Sequence, residues 1–476
     1  MPDSPSGVQD LTPGGPRLRR ALSLRDLIIY GAIVISPMAP MTFFGILTQR
    51  GNGHAATAIL LAMFAMLLTA ISYGRMARAH PSAGSAFTYV GREINPAFGF
   101  VTGWSMVLDY IVNPMLNVIF CSQQMHVLFP AVAYWEWTLC FAALFTGLNV
   151  QGIKASARIN ALLAAAMGLV VGVFFVAATL YVAHHPHTGT GFFTRPLYDA
   201  PRWSLNGLLS GTALAVLAYM GFDSISTLSE EAKNPRDVLP ATVITCIVIG
   251  LLSALEVYAA QLVWPITQHF PDIDTAFTSA AGQAWSPLYA IVGGSLIMAC
   301  VASGTGMQLG AARLLYGMGR GGALPKAVFG ALEPRKRVPR NSVVFVGLAS
   351  LTGAIVLPLI SGKSTGFDLA ASLLNYGALI GFMGVNAAAL LRFYWRADQR
   401  RIINLVLPAA GFLVCLVLWW NLSTQARMLG GVWMVIGIAV GAWKTRGFRD
   451  EVLTFEIPPD APPESPVRSA AGASTP

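Results

Sequence analysis

The sequence predicts an all-α integral membrane protein whose chain crosses the bilayer twelve times. Three observations carry that prediction. Only 11% of the 476 residues are charged, against 55% hydrophobic, whereas a water-exposed surface takes about 25% charged residues. Mean hydropathy is +0.59, and apolar runs close to the ~20 residues that span the hydrocarbon layer follow one another with short polar joints. The basic residues also alternate. With the N-terminus in the cytoplasm, 26 of the 31 Lys and Arg residues fall in cytoplasmic segments, leaving only Arg50, Arg195, Arg202, Lys363 and Arg427 outside. A wrong number of spans would scramble this bias. The composition excludes an ordinary cytosolic enzyme, a secreted disulfide scaffold and a disordered chain. The net charge of +9 is read as loop charge that sets orientation, with both termini cytoplasmic, and not as a nucleic-acid footprint.

Taken in order, residues 1–21 form a polar cytoplasmic tail with Arg17, Arg19 and Arg20 just ahead of the first apolar run. They lack the short apolar core and cleavage site of a signal peptide. The expected spans are 26–47, 55–74, 97–128, 133–150, 158–182, 205–228, 238–264, 287–318, 342–360, 369–391, 403–422 and 429–445. They make up a transporter-like domain over 22–448. The remainder, 449–476, is rich in Pro, Ser and Ala and reads as a disordered cytoplasmic tail.

Two of these spans are interrupted. The first breaks at Ser36-Pro37-Met38-Ala39-Pro40, the sixth at Gly221-Phe222-Asp223-Ser224. In a chain built as two five-helix halves plus two extra helices, these are the first helices of each half. Matching breaks point to a five-plus-five inverted repeat with its binding site at the breaks, the alternative being two unrelated kinks. An anion would need free backbone N–H groups at a glycine-rich break, but Pro37 and Pro40 supply none. Carbonyls remain, and they suit a cation.

The third span places Ser105, Asp109, Asn113 and Asn117 four residues apart on one drifting helical face. A charge at mid-helix costs about 2.5–3.5 kcal/mol on insertion scales, so Asp109 is a functional candidate by default; the alternative is a polar seam between helices. Pro114 removes the N–H that the Tyr110 carbonyl would receive. Asp109 and Asp223 together favour an ammonium. Trp104, Tyr110, Tyr219, Phe222 and Tyr376 are candidates to stack on a cation, with packing or the interface belt as the rival role. Glu256 in the seventh span and Asp368 at the start of the tenth are further acids near membrane depth. Glu230 and Glu231, beside Lys233 and Arg236, suit either a cytoplasmic gate or a surface ion pair.

Other motifs carry no chemistry. Gly317 to Gly322 fits G-x-G-x-x-G but follows an apolar helix instead of a strand. Gly362-Lys363-Ser364 resembles the end of a phosphate-binding loop, yet Leu357 stands where the first glycine belongs. His184, His185 and His187 share an external loop, where a metal site is the minor alternative to a plain solvated loop. Cys121, Cys140, Cys246, Cys300 and Cys415 lie singly in apolar runs. No cofactor or metal is expected, and no enzymatic constellation is found. Gly207/Gly211, Gly306/Gly310, Gly377/Gly381 and Gly437/Gly441 are spaced for close helix approach.

In their order and coverage, several motifs resemble the amino acid–polyamine–organocation superfamily of permeases, most closely its bacterial putrescine importers. They include Pro40-Met41-Thr42, Ala70-Ile71-Ser72-Tyr73-Gly74, Ala83-Gly84-Ser85-Ala86, Ile94-Asn95-Pro96 and Gly103-Trp104-Ser105 with Leu108-Asp109-Tyr110. Gly221-Phe222-Asp223, Ser229-Glu230-Glu231 and Arg313 to Arg320 follow. The resemblance implies alternating access and uptake driven by the proton motive force in a bacterial inner membrane. It also implies a substrate site on Ser36 to Pro40, on Tyr219 to Asp223 and on the facing part of span three. Many amino acid members carry a lysine in the fifth helix after a pattern that Gly152 to Arg158 fits, but that position here is Met167. A proton would then ride on Asp109, Asp223 or Glu256, or sodium would bind near Ser303. The function expected is import of a small amine, putrescine or a related polyamine. An ordinary amino acid permease is the nearer rival, and an amine sensor that does not transport is the remoter one.

Overall fold

The computed structural model describes residues 22–80, 85–152, 157–185, 191–230, 232–320, 322, 324–333, 336, 338–362, 366–397 and 400–448. The two tail readings, Glu231 and the side chain of Glu230 lie outside them. The described chain is helical, with α1 (Leu24–Ile35), α2 (Phe44–Arg50), α3 (Ala55–Ala79), α4 (Ser85–Glu93), α5 (Pro96–Leu128), α6 (Tyr134–Gln151), α7 (Ala157–His184), α8 (Leu205–Ala215) and α9 (Ser224–Thr227). It continues through α10 (Val238–Val263), α11 (Ala276–Ala284), α12 (Leu288–Arg320), α13 (Lys326–Phe329), α14 (Arg340–Ser361), α15 (Phe367–Leu390), α16 (Ile402–Trp420) and α17 (Thr424–Lys444).

Local chemistry sets several of these limits. Ser23 caps α1 in a reciprocal box with Asp26. At α5, Asn95 Oδ1 accepts from the Ala97 N–H at 2.8 Å, and Pro96 occupies the first helical position. The short helices α4 and α11, absent from the hydropathy reading, bury five residues each, among them Tyr89 and Glu93 of α4 and Phe277 of α11.

Eleven helices among the described residues are long and apolar enough to cross a membrane, one fewer than expected. The difference is the fourth span. It is present as the 18-residue α6 and packs against α5, α12 and α14. Trp135, Glu136 and Trp137 at one end and Asn149 and Gln151 at the other dilute its apolar character. The outer surfaces of the bundle bear large bare apolar side chains, among them Trp443 at 80% and Leu359 at 79% exposure. Lipid covers such a surface without cost and water does not.

Both expected breaks are real. Helix α1 ends at Ile35, Ser36 takes φ 65°, Ala39–Thr42 forms a 3₁₀ turn, and α2 resumes at Phe44. Helix α8 gives way to a 3₁₀ turn at Val216–Tyr219, then to an irregular link through Gly221, and α9 resumes at Ser224. The pieces pair crosswise, α1 with α9 and α2 with α8, and the two 3₁₀ turns meet between them. Around this centre α3 packs on α10, α5 on α12 and α6 on α14. Helix α4 lies on α5 and α15, while α11 lies on α12 and α7.

Candidate functional site

The two breaks touch where the backbone is least protected. A methyl on Gly221 would sit 2.7 Å from Val34 Cγ1 and 3.6 Å from the Val34 carbonyl oxygen, and Gly221 has φ 105°. Only glycine holds that position without strain and lets the second break reach the end of α1. Pro37 has no N–H to give the Ile33 carbonyl. Among the described residues, the carbonyls of Ile33, Val34 and Ile35 receive no backbone hydrogen bond from beyond the break. Several N–H groups at the breaks, by contrast, are in use. Ala39 and Met41 donate to the Ser36 and Met38 carbonyls at 3.2 Å. Met220, Phe222 and Ser224 donate to Leu217, Tyr219 and Gly221 at 3.1–3.3 Å.

Helix lengths add to this polarity. The segments that end at the breaks are α1 and α8, of 12 and 11 residues. Those that start there are α2 and α9, of 7 and 4. The negative dipole ends therefore come from the longer helices. Asn375 of α15 takes up part of that charge, donating to the Ala213 and Leu214 carbonyls at 2.8 and 3.3 Å.

Two carboxylates complete the site. Asp109 on α5 is 7% exposed and Asp223 in the second break 9%, and they lie within electrostatic range of each other. Asp109 Oδ1 has no hydrogen-bond partner among the described residues. The polar face of span three explains why. Ser105 donates to the Thr102 carbonyl at 2.7 Å, and Asn117 donates to the Asn113 carbonyl and to Asn113 Oδ1 at 2.9 and 3.0 Å. Its neighbours are satisfied within their own helix, so Asp109 alone remains to be answered from elsewhere. Gly377 lets α15 pack onto this stretch; a methyl there would collide with the Ser105 carbonyl and lie 3.2 Å from the Asp109 nitrogen.

An aromatic floor underlies the carboxylates. Phe222, fully buried, meets Tyr73 edge-on at 5.5 Å and Phe382 at 5.1 Å, and Tyr73 meets Tyr89 at 6.2 Å. Tyr73 and Tyr110 each lie within electrostatic range of both acids. The Tyr73 hydroxyl is buried without a partner among the described residues. Sequence reading had Tyr73 only as part of a motif and passed over Tyr89 and Phe382. The available signal was a phenol inside an apolar run, which needs a polar neighbour when buried.

Other candidates go elsewhere. Trp104 turns away from the acids and stacks on Trp433 of α17 at 4.9 Å; its indole donates to the Trp433 carbonyl at 2.9 Å and the Trp433 indole donates back to the Trp104 carbonyl at 3.0 Å. Tyr219 is buried with its hydroxyl donating to the Ile59 carbonyl of α3 at 2.8 Å, a packing contact. Tyr376 packs against Trp419 of α16. Ser36, Pro37, Ala39 and Gly221 in the breaks and Tyr110 and Asn113 on α5 are half-buried, while Met38 and Pro40 are buried. Glu256 on α10 is fully buried with neither oxygen hydrogen-bonded among the described residues, and it stands apart from the Asp109–Asp223 pair. Ser303 is exposed on α12 and Met167 packs on the apolar core. The carbonyls at the first break are also busier than expected, since those of Ser36, Met38, Ala39 and Pro40 already accept. The open ones lie a residue or more earlier, at the end of α1.

Comparisons with known proteins bear on the family and the fold. A family model described as amino acid permease matches residues 27–446. The chain is 32% identical to the low-affinity putrescine importer PlaP of Escherichia coli strain K12 over 94% of this chain and 99% of that one. It is 26% identical to the branched-chain amino acid permease BcaP of Lactococcus lactis over 88% of this chain and 93% of the other. Among solved structures, a manganese transporter mutant from Eremococcus coleocola superposes with a TM-score of 0.50 at 12% identity, covering 88% of this chain and 94% of that one. That last likeness speaks to the fold alone.

Proposed function

The chain belongs to the amino acid permease family, multi-pass membrane transporters and not enzymes, and from that premise we propose that it imports a small amine, putrescine or a related polyamine. The observation that carries this reading is a pair of buried carboxylates, Asp109 and Asp223, within electrostatic range of each other, with open carbonyls at the end of α1 where Gly221 reaches it. A buried carboxylate pair repels itself until a cation enters. Ammonium groups supply that cation and their N–H donors fit the carbonyls. An α-carboxylate has fewer donors to meet, because the N–H groups of Ala39, Met41, Met220, Phe222 and Ser224 already donate to carbonyls three residues back. The similarity to a putrescine importer points the same way.

Transport follows from the same geometry. We read the fold as twelve helices in a five-plus-five inverted repeat with two added helices. The pairing of α3 with α10, α5 with α12 and α6 with α14, each five spans apart, supports that reading, as does the crosswise pairing of the half-helices. Rocking of one group of helices against the other would expose the site alternately to each side. The charge bias supports a reading with both termini in the cytoplasm of a bacterial inner membrane. Protons are the coupling ion in this reading, carried by Asp223, Asp109 or the isolated Glu256; sodium near Ser303 is the alternative.

The test is uptake of labelled putrescine into proteoliposomes, with an inward proton gradient imposed or absent. Gradient-driven uptake that polyamines compete and leucine does not is expected. Entry of leucine in its place would overturn the amine reading in favour of a general amino acid permease, a role that the similarity to a branched-chain amino acid permease also suits. Binding of putrescine without counterflow would identify a sensor.

A further inference from the structure

Helices α3, α15 and α16 meet at the face where α1 starts, which the charge bias reads as cytoplasmic. Helix α15 ends there in a π turn at Leu391–Trp395, a distortion frequent at functional sites. Arg392 and Arg396 reach from it to Glu93 of α4, whose side chain is 5% exposed. That carboxylate hydrogen-bonds to His80 and Arg392 and lies 3.2 Å from Arg396 Nη1. One carboxylate is thus already shared among two guanidiniums and an imidazole.

Arg75 of α3 stands beside this group. Its Nη2 donates to Asn404 Oδ1 at 2.7 Å, while its Nη1 is buried with no hydrogen-bond partner among the described residues. Asn404 in turn donates to the Phe393 carbonyl at 3.0 Å. The guanidiniums of Arg75 and Arg392 lie 5.2 and 5.9 Å from the centre of the same ring, that of Phe393. Arg400 and Arg401, both exposed, come about one turn before Asn404 at the start of α16. Five arginines thus share this junction with Glu93, and counting Asp398, which lies outside the described residues, still leaves it positive. Bare apolar side chains continue from it: Trp395, Ile402, Ile403 and Val406, with Ile402 70% exposed. A soluble anion gains nothing from that surface, whereas acyl chains cover it. Basic pockets between helix ends on the cytoplasmic side suit anionic headgroups, and a guanidinium fork matches phosphate oxygens.

We propose that this junction binds one anionic phospholipid of the cytoplasmic leaflet, its phosphate on Arg392 and Arg401 with the charge of Arg75 beneath, and its acyl chains along α16. The lipid then clamps α3, α15 and α16 together and answers the positive charge that Glu93 leaves over. General attraction to the leaflet would treat every cytoplasmic arginine alike, so the test compares positions.

Native mass spectrometry of the purified full-length chain, titrated with phosphatidylglycerol or with phosphatidylcholine, tests it. One tightly held phosphatidylglycerol per chain is expected, with phosphatidylcholine bound more weakly. Arg401→Gln and Arg75→Gln are each expected to weaken that lipid about fivefold, while Arg320→Gln at the end of α12 leaves it unchanged. Arg401 is exposed, so Arg401→Gln carries the test even where Arg75→Gln fails to fold. Equal weakening in Arg401→Gln and Arg320→Gln, or weakening in neither, would overturn the proposal, since leaflet charge alone would then account for the lipid. Equal binding of phosphatidylcholine would overturn it too. So would displacement of the lipid by inorganic phosphate, which would assign the junction to a soluble anion.

Discussion

Replacing Asp109 with Asn is expected to move two observables in opposite directions. Asp109 sits inside the 33-residue α5, is 7% exposed and has an oxygen with no partner. Without substrate its charge is a burden of about 2.5–3.5 kcal/mol on insertion scales, which the neutral isostere relieves. The amine-free protein should therefore melt no lower than wild type, and higher if the carboxylate is ionised. With substrate the balance reverses. Removing one partner of a buried ion pair costs about 3–5 kcal/mol, and at 1.4 kcal/mol per tenfold putrescine affinity should fall by roughly two to three and a half orders of magnitude. Equilibrium dialysis of labelled putrescine against the purified variant, alongside thermal unfolding without amine, reads both. A well-folded Asp109→Asn protein with wild-type affinity would refute the reasoning, and so would a loss of affinity that merely accompanies a collapse in melting temperature.

Three further outcomes follow from the geometry. Gly221→Ala is expected to destabilise by about 1–3 kcal/mol and to abolish uptake, because φ 105° strains any side chain and the new methyl meets Val34 at 2.7 Å; a variant that melts and transports like wild type would contradict the contact. Trp104→Phe should cost about 1 kcal/mol of stability through loss of the bond to the Trp433 carbonyl, while putrescine affinity stays at the wild-type value in the same dialysis assay. At the face where α1 starts, burial works against a charged Glu93, but hydrogen bonds from His80 and Arg392 hold its carboxyl below the ordinary carboxylate range. That contribution is complete above the unfolded-state value and is lost as pH falls through the lower folded-state one. Melting temperature should fall on acidification through that window, and Glu93→Gln, starting lower, should show a smaller fall.

Much of this architecture was legible because a membrane restricts what a sequence can do. Hydropathy and basic-residue bias place the spans, and Pro37, Pro40 and Gly221 mark breaks that no bilayer-facing helix would tolerate without compensation. Helix α6 escaped the apolar criterion because its tryptophans, Glu136 and Asn149 lie at its ends, where the interface takes polar groups. Asp109 and Asp223 were readable as costly charges. That they share one site was expected from the matching breaks, but the close approaches around them, Gly377 against α5 and Gly221 against Val34, were not legible. The aromatic candidates were the weakest reading. A helical position does not say whether a ring faces the cavity or the next helix, and Trp104 and Tyr219 face neighbours. The partnering of Arg50 with Asp368 across 318 positions has no local signature at all.

In the proposed reading Asp109 comes from the third span and Asp223 from the sixth, so a ligand held by both would tie these two spans together. How it bridges can be measured. If one ammonium sits between both carboxylates, removing either acid destroys the same interaction and the second removal adds little. The double variant Asp109→Asn/Asp223→Asn would then lose far less affinity than the two single losses combined, with a coupling of about 0.5–3 kcal/mol, as for residues sharing a partner. If each acid takes one end of a diamine, the losses add and a monoamine loses affinity in only one of the single variants. The shared arrangement is expected for the first ammonium, because the two acids lie within electrostatic range of each other and Gly221, two residues before Asp223, touches the end of α1 where the carbonyls of Ile33, Val34 and Ile35 are open. The far ammonium of a diamine is then left to Tyr110 and the aromatic floor. Strict additivity for putrescine, together with selective loss for a monoamine, would show that the acids act separately and would overturn the shared site.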